Sequence, residues 1–288
     1  MKFSGVWLPI ITPFKDGKVD FNSYKNMIEN YIDTGITGFI PLGTTGETPT
    51  LSDDEYFSII EKTIEYVKGR VKVVVGVGGN NTKALIEKAK KVEALGVDGI
   101  LSVCPYYNRP DQRGIYEHFK ALAEAIDTDI ILYNIPYRTG RNIEIPTILK
   151  LAEIPNIVGV KDASGSFTES QKLIMNKPKD FAVLTGEDAL FYSTLALGGD
   201  GGILASCHVN TKDFVQIYKN IKEGKMEEAL KLWKPLYKFI PLLFKEPNPA
   251  PIKYIAKKMN LIDSDEIRLP LVKISGELEK ELDEVLKL

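Results

Sequence analysis

The stretch VKVVVGVGGNNTKALIEKAKKVEALGVDGILSVCP, residues 71–105, decides the fold. It opens with a β-branched run, VKVVVGV (71–77), and passes through an amphipathic segment, NTKALIEKAKKVEALG (81–96). It ends in a second apolar run, GILSVCP (99–105). Both runs are continuously apolar rather than alternating, as expected of parallel strands covered on both faces. Gly96 stands where the helical period stops, and glycine is the usual residue just past a helix end. The stretch therefore reads as strand, helix, strand.

The same unit recurs in both directions. Upstream lie VWLPIIT (6–12) and GFIPLG (38–43); downstream lie DIILYNI (129–135), IVGVKD (157–162), FAVLTG (181–186) and GGILAS (201–206). Between the second and third runs, SDDEYFSIIEKTIEYVKG (52–69) opens with Ser52 ahead of acidic residues and closes at Gly69, so its start and stop chemistry agree. Strand starts recur every 20 to 33 residues or so, the spacing of βα units. Eight such units predict an α/β protein with a (β/α)8 barrel over residues 1–224. A doubly wound sheet is the alternative, but it has fewer units and a phosphate-binding first turn. Residues 225–288 change character: MEEALKLWKPLYKFIPLLF, PAPIKYIAKKMNLI and ISGELEKELDEVLKL read as helices, predicting a C-terminal helical domain.

Composition removes several function classes. The 288 residues are 44% hydrophobic, enough for a sizeable core, with a formal charge of −2. That balance gives no reason to expect nucleic acid or an anionic membrane as a partner. The opening MKFSGVWLPIITPF has an apolar run too short and too broken by proline for a signal peptide, and no run approaches a membrane span. A cytosolic protein is expected, with Cys104 and Cys207 as thiols rather than a disulfide. His118 and His208 are the only histidines and form no metal-binding spacing, so neither a metal nor a Ser-His-Asp triad is expected. No cofactor is expected either. GVGGNN (76–81) lacks the last glycine of a dinucleotide fingerprint, GTTGET (43–48) has no Walker lysine, and GGDGG (198–202) reads as a tight helix-to-strand connection.

In such a barrel the reacting groups follow the carboxyl ends of the strands. Those ends carry GTTGET (43–48), PYYNRP (105–110), LYNIPYRTG (132–140), KDASG (161–165) and TGED (185–188). Lys161 ends an apolar strand, where a charge is costly. A lysine snorkelling to water is the ordinary reading; the other is an amine nucleophile. With a pKa of about 10.4 a lysine is ammonium at neutral pH, and each unit by which desolvation lowers that value raises the free-amine fraction about tenfold. Such an amine forms a Schiff base, and the imine then accepts electrons with no metal required. Tyr133 is either core packing or a phenol that moves protons. Thr44 and Thr45, between Gly43 and Gly46, suit a small carboxylate as well as an ordinary polar turn. Arg138 is one of only six arginines, and its fork fits a carboxylate or a surface ion pair.

Taken together, TPF, GTTGE, PYYNRP, YNIPYRTG, GVKDASG, TGED and EPNPAPIK (246–253) resemble the dihydrodipicolinate synthases, within the class I pyruvate-dependent aldolases that include N-acetylneuraminate lyase. The likeness covers nearly the whole chain. GTTGE and the lysine strand are shared across the superfamily, whereas PYYNRP with the arginine of RTG marks the synthases. The resemblance implies that Lys161 forms an imine with pyruvate and that Tyr133, Thr44 and Tyr107 relay protons, Tyr107 reaching into a neighbouring subunit's site. It implies that Thr45, with the backbone of Thr44, holds the pyruvate carboxylate. Arg138 would bind the carboxylate of L-aspartate 4-semialdehyde, and Gly186 and Ile203 would line the pocket. The implied product is 4-hydroxy-tetrahydrodipicolinate, on the diaminopimelate route to lysine, and the implied assembly is a homotetramer built as a dimer of dimers.

A sugar-acid aldolase, cleaving a 2-keto-3-deoxy acid, would keep the same lysine and tyrosine; Arg138 and Tyr107 favour the synthase. A non-catalytic barrel that senses a small acid would need neither Lys161 nor Tyr133. In lysine-inhibited synthases the effector lies near the positions of Asn80, Ala84, Tyr106 and residues 48–56. Here an expected acid is Ala84, and expected histidines are Asp53 and Tyr56, so weak or absent inhibition by L-lysine is expected.

Overall fold

The computed structural model describes residues 3–287. Among them, eight parallel strands close into a barrel: β1 Gly5–Leu8, β2 Gly38–Phe39, β3 Lys72–Gly76, β4 Gly99–Val103, β5 Ile130–Asn134, β6 Ile157–Asp162, β7 Ala182–Thr185 and β8 Gly201–Ile203. Around the barrel the order is β1-β8-β7-β6-β5-β4-β3-β2, with helices between successive strands. This is the expected (β/α)8 barrel. Its strands are apolar along both faces because each is covered on both, and β4 and β5 are buried almost throughout. Among the described residues no helix is long and apolar enough to cross a membrane.

The described residues group into two compact units, 3–5 with 73–203 and 6–72 with 204–287. In the first, β4 to β8 pair in sequence order. The β5–β6 ladder slips register after Ile130 and then runs Leu132 to Val160, Tyr133 to Lys161 and Asn134 to Asp162. At Gly201 a Cβ would fall 2.0 Å from the carbonyl oxygen of Gly5, so only glycine fits that position. The helix Thr82–Glu93 is capped by Asn81, whose side chain accepts the N–H of Ala84.

In the second unit β1 pairs with β2, and the helix Asp53–Val67 starts at a capping box between Ser52 and Glu55. It stops on Lys68, itself left-handed, one residue before the expected Gly69. The C-terminal segment is helical, in Met226–Phe239, Ala250–Lys258 and Gly276–Leu286. Trp233 of the first of these meets Phe214 of the helix Thr211–Lys222 edge to face, 6.4 Å between ring centres.

Candidate active site

Lys161 is the next-to-last residue of β6, in a strand that also buries Ile157, Gly159 and Val160. Its side chain is 7% exposed, and the Nζ stands 4.2 Å from the centre of the Tyr133 ring, its ladder neighbour on β5. Burial pushes the ammonium down to about 8; Asp188 pulls the other way most strongly, followed by Tyr137, while Arg138 adds to the lowering. At pH 7 about one such amine in ten is free base, against roughly one in a few thousand for an unperturbed lysine. A buried amine beside an aromatic phenol is equipped to attack a carbonyl.

Gly186 follows β7 and makes room for that lysine. A Cβ there would lie 2.6 Å from the Cε of Lys161 and 2.9 Å from its Cγ. The Gly186 N–H donates to the carbonyl of Asp162 at 2.7 Å, which leaves its own carbonyl as the backbone group it can offer a ligand. Next come Glu187 and Asp188 of the TGED stretch, to which the sequence alone assigns no role. Asp188 is buried, and burial together with Asp188 raises Glu187 above the usual carboxylate range. The signal was present: two consecutive carboxylates directly after an apolar strand.

Arg138 sits on the short helix Pro136–Thr139 after β5, exposed, with its guanidinium carbon 5.4 Å from the Tyr137 ring centre. Tyr107, in the loop after β4, is 90% exposed on a left-handed backbone (φ 69°) and stands out into solvent rather than joining the group around Lys161. The two loops are clasped together. Arg109 Nε donates to the Gly140 carbonyl and Arg141 Nη2 to the Arg109 carbonyl, each at 3.0 Å. Gln112 adds a bond to the carbonyl of Asn142 at 2.9 Å. Ile203, the last residue of β8, is fully buried.

In the second unit, Thr44 and Thr45 form a single 3-10 turn, Thr44–Gly46, beyond β2. Thr44 is half-buried; Thr45 is buried, and its hydroxyl accepts a hydrogen bond from Asn248 Nδ2 at 2.9 Å. Asn248 belongs to EPNPAPIK, and nothing in the sequence pairs its side chain with the turn. Among the described residues no three His, Cys, Asp or Glu side chains are placed to hold a metal ion. Both histidines are buried packing residues pushed down to about 4 by burial: Thr82 Oγ1 meets Nδ1 of His118, and the Ile11 N–H donates to Nε2 of His208. Both cysteines are buried thiols.

Comparison with known proteins agrees across the whole chain. The Dihydrodipicolinate synthetase family matches over residues 2–288. The 4-hydroxy-tetrahydrodipicolinate synthase 2 of Clostridium acetobutylicum is 57% identical over 286 residues, covering 99% of this chain and 100% of that one. The 4-hydroxy-tetrahydrodipicolinate synthase of Bacillus subtilis is 40% identical over 277 residues, covering 96% and 95%. Among solved structures, dihydrodipicolinate synthase from Aquifex aeolicus superposes with a TM-score of 0.96 at 38% identity, over 99% of this chain and 97% of that one. The enzyme from Thermotoga maritima superposes with a TM-score of 0.97 at 36% identity, over 100% and 98%.

Proposed function

The chain belongs to the dihydrodipicolinate synthetase family, and from that premise we propose that it condenses pyruvate with L-aspartate 4-semialdehyde to give 4-hydroxy-tetrahydrodipicolinate. The observation that carries the reading is Lys161, buried at a strand end against the Tyr133 ring with its ammonium lowered to about 8. Its free amine attacks the ketone carbon of pyruvate, and the carbinolamine loses water to give the imine. Loss of a methyl proton gives the enamine, whose carbon attacks the aldehyde of the semialdehyde while the aldehyde oxygen takes up a proton. The amino group of that substrate then adds to the imine carbon, closing the ring and returning Lys161 as an amine.

We assign the proton relay to Tyr133, Thr44 and Tyr107, the last supplied to the site of a neighbouring subunit in a homotetramer of paired dimers. Thr45 and the Thr44 backbone hold the pyruvate carboxylate, Arg138 holds that of the semialdehyde, and Gly186 and Ile203 line the pocket. The exposure of Tyr107 and Arg138 supports both assignments, since each side chain is available to a partner or a substrate. The buried thiols suit a reducing cytosol.

Borohydride with pyruvate tests the reading. One pyruvyl unit per chain is expected on Lys161 by mass spectrometry, and Lys161→Ala should lose the adduct and nearly all turnover. An adduct on a different lysine would overturn the assignment. Turnover of a 2-keto-3-deoxy sugar acid in preference to the semialdehyde would return the sugar-acid aldolase reading.

A further inference from the structure

The turn that bears Thr44 and Thr45 has little strength of its own. Its internal backbone bonds are Gly46 N–H to Gly43 carbonyl at 3.0 Å and Glu47 N–H to Thr44 carbonyl at 3.1 Å. It ends on Glu47, a non-glycine residue in the left-handed region (φ 54°), which needs outside support to persist. Thr12 Oγ1 gives part of that support by donating to the Gly46 carbonyl at 2.8 Å, and at Glu47 itself it comes from a buried ion pair. Glu47 and Lys253 meet side chain to side chain, and neither has any solvent exposure.

Both charges are further tied. Lys253 Nζ donates to the Glu266 carbonyl at 2.8 Å and lies 4.1 Å from the centre of the Phe14 ring. The second carboxylate oxygen of Glu47 accepts the backbone N–H of Arg268 at 3.2 Å, and the Arg268 guanidinium forks onto Glu55 at 2.6 and 2.7 Å. The helix that carries Lys253 follows Asn248, the donor to Thr45. Burial lowers Lys253 to about 8, with Glu47 pulling it back up.

A fully buried ion pair is an inefficient way to add stability, because apolar groups of similar volume often do as well or better. What it supplies is direction. We propose that Glu47 and Lys253 are positioning residues: their buried pair, anchored in the C-terminal segment, fixes the backbone of Thr44–Glu47 in the shape in which Thr44 and Thr45 serve the pyruvate half of the reaction. This rests on the function proposed above and adds to it two residues that touch no substrate.

The test compares Glu47→Gln, Lys253→Met and the double variant by thermal unfolding, by amide hydrogen exchange over residues 43–50, and by steady-state kinetics. Each single variant strands a buried charge or carboxamide and should melt lower. The double variant strands no charge and only the carboxamide of Glu47→Gln, so it should regain part of the melting temperature that Lys253→Met loses. It should still exchange the Thr44–Glu47 amides at least about tenfold faster and show a pyruvate KM at least about tenfold higher, with the semialdehyde KM within about twofold. Wild-type exchange and wild-type pyruvate KM in the double variant would overturn the proposal. If that variant does not fold, Glu47→Asp, which keeps the charge but draws it back by one methylene, decides: a raised pyruvate KM alone supports positioning, and unchanged kinetics refute it. The exchange arm needs no turnover. Absence of a pyruvate adduct on wild-type Lys161 would remove the proposed function, whereas unaltered exchange would remove the positioning role.

Discussion

In the proposed reaction Lys161 depends on the space that Gly186 leaves for its side chain. The nucleophile proposed for the free enzyme is the neutral amine of Lys161, and burial brings its pKa to about 8. Below that value each unit of acidification removes about nine-tenths of the remaining free base; above it nearly all the lysine is already neutral. The rate of borohydride-trappable adduct formation at low pyruvate should therefore rise about tenfold per pH unit up to near 8 and then level off. A plateau reached only above 10 would mean an unperturbed lysine. Gly186→Ala puts a methyl group 2.6 Å from the lysine Cε. The methyl group also lies 2.9 Å from the lysine Cγ, so the side chain must turn away from near its root, while no backbone atom stands in the way and the fold survives. Its amine then leaves its position, and misplacement of about 1 Å can cost a reaction about a hundredfold. Gly186→Ala is expected to melt near the wild type yet form the adduct at least about tenfold more slowly; equal rates would show that the lysine has room to spare. The position of Lys161 was legible because a charged residue interrupts an apolar run. The need for glycine at 186 was not, since it depends on a neighbouring strand.

At the scale of elements, all eight barrel strands and the helices read at 52–69 and 81–96 were legible from apolar pattern and end chemistry, but the strand ends were not. VWLPIIT forms ladder only through Leu8 and GFIPLG only through Phe39. Pro9 and Pro41 have no N–H to give a ladder, and the apolar residues beyond them are buried outside any strand, Ile11 giving its N–H to His208 instead. An apolar run records burial, not hydrogen bonding, so it overstates the strand. The clasp between the loops after β4 and β5 was hidden for a different reason: it runs through carbonyl acceptors, which every sequence has. Arg141 holds the Arg109 carbonyl and Arg109 holds that of Gly140, so the loop of Tyr107 is tied to the loop of Arg138. Arg141→Met keeps the apolar stem and removes the donor. Losing a bond worth about 1 kcal/mol should raise the semialdehyde KM roughly fivefold through the loosened Arg138 loop, with pyruvate adduct formation unchanged. Equal losses on both substrates would mean that the clasp supports the whole barrel mouth instead.

For the molecule as a whole, the C-terminal segment was legible as helices but not as a support for the Thr44 turn, because a buried ion pair between residues as distant in sequence as Glu47 and Lys253 leaves no local pattern. Assembly is the other property beyond local reading, and Tyr107 bears on it. A tyrosine 90% exposed and held at φ 69° is an unusual arrangement for a side chain meant to face water. In a two-fold dimer the same patch serves both partners, so a side chain given by one subunit is received from the other. If Tyr107 completes the neighbour's site, chains bearing Tyr107→Phe and chains bearing Lys161→Ala should complement each other. In a hybrid dimer, one site has the intact Lys161 of the first chain and the intact Tyr107 of the second; the other site lacks both. Equal mixing with free subunit exchange makes half the dimers hybrids, each with one working site of two, so activity should recover to about a quarter of the wild-type value. Each variant alone should stay far below that level. A mixture no more active than the average of its parts, under conditions where mass spectrometry shows hybrids, would place Tyr107 in its own subunit's chemistry or outside the reaction altogether.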